Sequence, residues 1–200
     1  MNPRRPTPSG PEPDPFDLAR APPHLPELSR VLCELIRVYT SCGDAVQALS
    51  SGDVVARIVA ERPWVIYVLL GLLDSGGVAT ASDVASLLGL NTYVVKRGMW
   101  WLKKYGLVEI DEDSTPQRYR VKSLPPTVER LRSSKRVCGN TTVAEYGDAY
   151  IAFVSRRDEV VTHVVPRALV EALLRGEGAK APPRLLAVAR RVVDTIMCRR

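Results

Sequence analysis

Residues 80–108 read Thr80-Ala-Ser-Asp-Val-Ala-Ser-Leu-Leu-Gly-Leu-Asn-Thr-Tyr-Val-Val-Lys-Arg-Gly-Met-Trp-Trp-Leu-Lys-Lys-Tyr-Gly-Leu-Val108, and this stretch decides how the chain folds. Thr80 or Ser82 can cap a helix whose positive end suits Asp83, with Val84, Leu87 and Leu88 turned inward. Gly89 supplies a sharp turn, and Asn91 caps a second helix running to Tyr105. On a helical wheel Val95, Met99 and Leu102 (i, i+4, i+7) form the buried seam of that helix. The opposite face carries Tyr93, Arg97, Trp100 and Lys104, flanked by Lys96 and Lys103, with no acid between Asn91 and Tyr105. A solvated helix face usually mixes signs, because acid–base pairs at i, i+4 stabilise it. This face is uniformly basic.

Outward from this pair, residues 64–73 form a near-continuous apolar run that ends at Ser75-Gly76-Gly77, the pattern of a buried helix with a stop. After Tyr105, residues 106–110 read as a strand. A polar turn follows, then a return strand, Arg118-Tyr-Arg-Val121. Three helices and a two-stranded ribbon in this order, with the stretch from Leu90 to Val108, resemble the winged helix-turn-helix proteins, broadly the MarR-like and ArsR-like transcription regulators. The resemblance covers about residues 61–122. It implies a helix that enters the DNA major groove, with Leu102 and Gly106-Leu107-Val108 matching the end of that helix and the first wing strand.

The expected base contacts are Tyr93, Lys96 and Arg97, close to the start of the helix. Arg97 suits a guanine through a fork onto O6 and N7. Thr92, Lys103, Lys104, Gln117, Arg118, Arg120 and Lys122 are expected on phosphates. The wing departs from a simple DNA-binding pattern, because Glu109, Asp111, Glu112 and Asp113 place four acids on its ascending side and tip. Phosphates repel these, or the acids hold Arg118 and Arg120 across the ribbon. Duplex bases offer no free face for Trp100, so an interface with a neighbouring helix or a partner is expected there.

The chain has 200 residues and a net charge of +6. Residues 117–136 hold seven basic side chains and one acid, whereas residues 1–60 are balanced. That asymmetry favours a polyanionic partner. The Arg-rich, Pro-rich, Asn- and Gln-poor composition is of the thermophile or archaeal kind. No apolar run reaches a membrane span and no signal peptide is visible, so a cytoplasmic, nucleoid-associated protein is expected.

Residues 1–26 hold more than half of the 16 prolines and are expected to be a disordered tail. Residues 27–60 are expected to be a helical extension packed on the winged domain. Within it Leu28, Val31, Leu32, Leu35 and Ile36 make one stripe, and Val54, Val55, Ile58 and Val59 another. Residues 123–139 read as a basic connector. In residues 140–200, a β-hairpin with a charged turn at 155–159 is followed by helices, one carrying Leu185, Val188, Ala189, Val192, Val193 and Ile196 at helical spacing. The fold class expected is therefore mainly α with small β: a winged helix-turn-helix domain flanked by N-terminal helices and a C-terminal β-hairpin plus helices.

Cys33, Cys42, Cys138 and Cys198 lack metal-ligand spacing and are expected as buried free thiols. A disulfide fits only a hyperthermophile source. His24 and His163 have no catalytic or metal-binding partner in sequence. No catalytic motif is present, so no enzyme, no cofactor and no metal are expected. The function expected is sequence-specific binding of double-stranded DNA by a transcription regulator. A homodimer is expected because one winged domain reads few bases, with the stripes at 28–36 and 185–196 as seams or as intramolecular core. The alternative is a winged-helix protein-interaction module that docks on transcription or replication proteins.

Overall fold

A computed structural model describes residues 54–177 and 181–198. The proline-rich tail, the stripe at residues 28–36, Cys33, Cys42 and His24 lie outside the described residues. Helices α1 (Val54–Glu61) and α2 (Trp64–Asp74) come first. Strand β1 (Val78–Thr80) follows, then α3 (Ala81–Leu88), α4 (Thr92–Lys104), β2 (Val108–Asp111) and β3 (Arg118–Val121). Next are α5 (Pro126–Ser133), β4 (Arg136–Cys138), β5 (Thr141–Tyr146), β6 (Ala149–Arg156), β7 (Glu159–Pro166), α6 (Arg167–Leu174) and α7 (Pro183–Met197).

The expectation of a mainly α chain is overturned. Among the described residues half are helical and a quarter lie in strands, and the strands form two antiparallel sheets, so the class is α+β. The first sheet has the order β1-β3-β2, because Val78–Thr80 adds a strand to the expected two-stranded ribbon. The second is a four-stranded meander, β4-β5-β6-β7. The hairpin foreseen at residues 150–165 is its β6–β7 half. The segment expected as a basic connector, with room for a short helix, supplies α5, whose Val128 and Leu131 are fully buried, and also β4, which was not foreseen.

Two glycines set how closely the helices pack. A Cβ on Gly71 of α2 would lie 2.6 Å from Leu88 of α3, and one on Gly98 of α4 would lie 2.7 Å from Val68 of α2. Hydrogen at these positions lets the three helices approach side by side around a shared apolar centre. Val65, Ile66, Val68, Leu69, Val84, Val95, Met99 and Leu102 fill it. Val55 and Ile58 of α1 close one side of the same core.

Alternation along the second sheet explains its place as a middle layer. Ala144, Ile151 and Phe153 point to the core of α2–α4, where the Phe153 ring stacks on Tyr67 at 5.4 Å. Val143, Ala152 and Val165 point the other way, onto α6 and α7. There the stripe of Leu185, Val188, Ala189, Val192, Val193 and Ile196 is consumed, packing within this chain.

Ties between the parts are also polar. Arg132 donates to the Leu73 carbonyl at 3.3 Å, Lys135 pairs with Asp74, and the Glu145 N–H donates to the Ser134 hydroxyl at 2.9 Å. Cys138 and Cys198 are joined in a disulfide, not free as expected, and it fastens the end of α7 to β4. No helix among the described residues is long and apolar enough to cross a membrane.

Candidate nucleic-acid interface

The turn that presents α4 is built from its own backbone. Thr80 and Asp83 form a reciprocal cap on α3, and the hydrogen bonds from Thr80 hold the Asp83 carboxyl below its usual range. Gly89 ends α3 in the left-handed region at φ 64°, with the Leu90 N–H returning to the Ala85 carbonyl at 2.9 Å. The Asn91 side chain then accepts from the Tyr93 N–H at 3.0 Å and starts α4. Leu87, expected inward, is 55% exposed, because Ala81, Val84 and Ala85 already occupy the buried side of α3.

Helix α4 has three distinct sides. Val95, Gly98, Met99 and Leu102 are buried, as the wheel requires. One shoulder packs on the N-terminal helices. Trp101 lies under the Arg62 guanidinium at 3.6 Å, and the Tyr105 hydroxyl donates to Glu61 at 2.8 Å. Hydrogen bonds from Arg57 and Tyr105 lower the Glu61 carboxyl, while burial raises the Tyr105 phenol. The crest faces solvent. Tyr93 is 72% and Trp100 55% exposed, and Lys96, Arg97, Lys103 and Lys104 are exposed with them. Arg97 sits 5.9 Å from the Trp64 ring, and Lys104 lies over Trp100 at 5.4 Å. Thr92 is half-buried.

The other shoulder faces the ribbon across a groove of about 530 Å³, lined by Lys96, Trp100, Lys103, Lys104, Ile110, Gln117 and Tyr119. No acid lines it. Strand alternation explains why: Ile110 pairs with Tyr119 on the inner face, and their neighbours point away. Those neighbours are Glu109 opposite Arg120 and Asp111 opposite Arg118. Arg118 and Arg120 thus share the outer face with the wing acids, away from α4, although none of the four forms an ion pair among the described residues. The charge of Arg118 instead acts on Asp83 at the start of α3. Lys122 is exposed where the ribbon leaves, its N–H donating to the Leu107 carbonyl at 2.9 Å.

The structure therefore brings together Tyr93, Lys96, Arg97, Trp100, Lys103, Lys104 and Gln117, and leaves Arg118, Arg120 and Lys122 apart from them. It also adds an element that the sequence reading assigned no role. The β6–β7 turn reaches the start of α4, where the Asn91 N–H donates to the Arg157 carbonyl and its amide donates to Asp158 at 3.1 Å. An arginine and an aspartate thus flank the end of α4 at which base contacts were expected. Only the charge of residues 156–159 signalled this in sequence, and a hairpin turn explains such charge by itself.

No protein-family model matches the chain, and neither a curated protein nor a solved structure was found similar to it.

Proposed function

We propose that this chain binds double-stranded DNA sequence-specifically as a transcription regulator, with α4 lying in the major groove. The supporting observation is the crest of α4: exposed, cationic, free of acids, and standing on a fully buried seam that fixes its orientation. A B-DNA major groove admits a helix of this width. On the outer face of the ribbon the wing acids offset Arg118 and Arg120, so the excess positive charge that draws phosphate lies on the α4 side. Tyr93, Lys96 and Arg97 contact base edges; Lys103 and Lys104 contact phosphates. Two copies on a palindromic site extend the sequence read, since a single unit covers few base pairs.

Selection of bound duplexes from a random pool at two ionic strengths tests this. A defined motif should emerge, and affinity for it should fall steeply with salt. Arg97→Ala should cost about 1–3 kcal/mol and relax one base position. Failure to enrich any motif, or an Arg97→Ala variant that discriminates like the parent, overturns the proposal.

A further inference from the structure

The groove between α4 and the ribbon has features that a duplex does not use. Its wall is the indole of Trp100, set edge-on to Trp101 with ring centroids 4.6 Å apart and planes at 81°. That contact and Lys104 at 5.4 Å hold the ring in place, while more than half of the residue stays open to solvent. Its floor is apolar, made by Ile110 and the ring of Tyr119. Its rim carries Lys96, Lys103 and Lys104, and the Gln117 amide stands at the ribbon side with its oxygen engaged by the Tyr119 hydroxyl at 3.2 Å.

Stacked base pairs present only their edges, so an aromatic wall and an apolar floor do nothing for them. A bare phosphate needs the lysines but not the indole. A ligand that is flat and apolar on its faces, polar at its edge and joined to anions matches all three parts of the groove. We infer that the groove takes an unpaired nucleotide of a single-stranded polynucleotide. The base stacks on Trp100 over Ile110 and Tyr119, the Gln117 NH2 reaches its edge, and the lysines hold the flanking phosphates. This rests on the nucleic-acid reading of α4 but concerns a different substrate state: a strand end or opened segment that takes these lysines in place of the duplex.

The test uses the full chain and fluorescence anisotropy with a blunt duplex, an oligo-dT and an oligo-U of about 15 nucleotides. The parent should bind oligo-dT, and stacking should quench tryptophan emission. Trp100→Ala should weaken oligo-dT binding by about 10-fold, through loss of one base stack. Trp100→Phe should restore most of that loss, and blunt-duplex affinity should fall by a clearly smaller factor than oligo-dT affinity. Unchanged circular dichroism of Trp100→Ala checks the fold. Oligo-U binding as tight as oligo-dT assigns the groove to RNA as well as DNA; weaker binding assigns it to DNA. Loss of duplex and oligo-dT binding by equal factors overturns the inference, as does a parent that binds duplex but neither oligonucleotide. Oligo-dT binding without duplex binding supports the groove and removes the duplex proposal instead.

Discussion

Replacing Gly98 by Ala sets two effects of known size against each other. In an exposed helix interior, Gly→Ala stabilises by about 1 kcal/mol through helix propensity. At this site the new methyl meets Val68, with Cγ2 at 2.7 Å and both Cβ and Cγ1 at 3.1 Å. Val68 is fully buried, and a β-branched side chain in a helix has essentially one rotamer, so it cannot swing aside. Relief requires α2 and α4 to separate, and overpacking of this kind costs about 1–3 kcal/mol. Subtracting the propensity gain leaves a net destabilisation of about 0–2 kcal/mol. Urea denaturation of Gly98→Ala, Val68→Ala and the double variant measures it. Val68→Ala alone should lose about 2 kcal/mol to a cavity, and the double variant should lose about 1 kcal/mol less than the sum, because the added methyl fills that cavity. A Gly98→Ala variant stabilised by a full 1 kcal/mol, with additive behaviour in the double, would refute the close approach of these helices.

Two further outcomes are expected. Reducing the Cys138–Cys198 disulfide releases a cross-link spanning 60 residues, worth about 4 kcal/mol in the chain-entropy account; equal thermal midpoints for the oxidised protein and Cys198→Ser would contradict this. Burial first, and the Arg191 charge second, hold the His163 imidazole below its ordinary value of 6.5. The unfolded chain therefore takes up this proton at higher pH than the folded one, so stability is full above that value and declines as pH falls beneath it. His163→Asn should flatten the difference between urea midpoints at about pH 7.5 and pH 5.5; an unchanged difference would reject His163 as its source.

Local signals carried much of the first half of the chain. Gly89, Asn91 and the Val95, Met99 and Leu102 seam each act within one or two helical turns, and each stands where the pattern puts it. Strand β1 escaped because three residues give no periodicity, and its partner is 40 positions away (Thr80↔Arg118 being nearest, at 38). Strands β4 and β5 escaped as well. Buried on both faces, β5 lacks the alternation of a half-exposed strand, and β4, like β1, is only three residues long. At the interface, the positions of Lys96, Trp100 and Lys103 along one helix were legible, but their sharing a groove with Tyr119 and Gln117 depends on strand register. Register also moved Arg118 and Arg120 to the other side of the ribbon, because a side chain's face changes with every residue.

The middle layer has a practical consequence: the described residues have no seam along which they can be divided. Excising residues 61–122 would strip Tyr67 of its stacked Phe153 and leave a greasy underside facing water. Such a fragment should clump or melt. Within the described residues, dissection is therefore better done by single substitutions than by trimming.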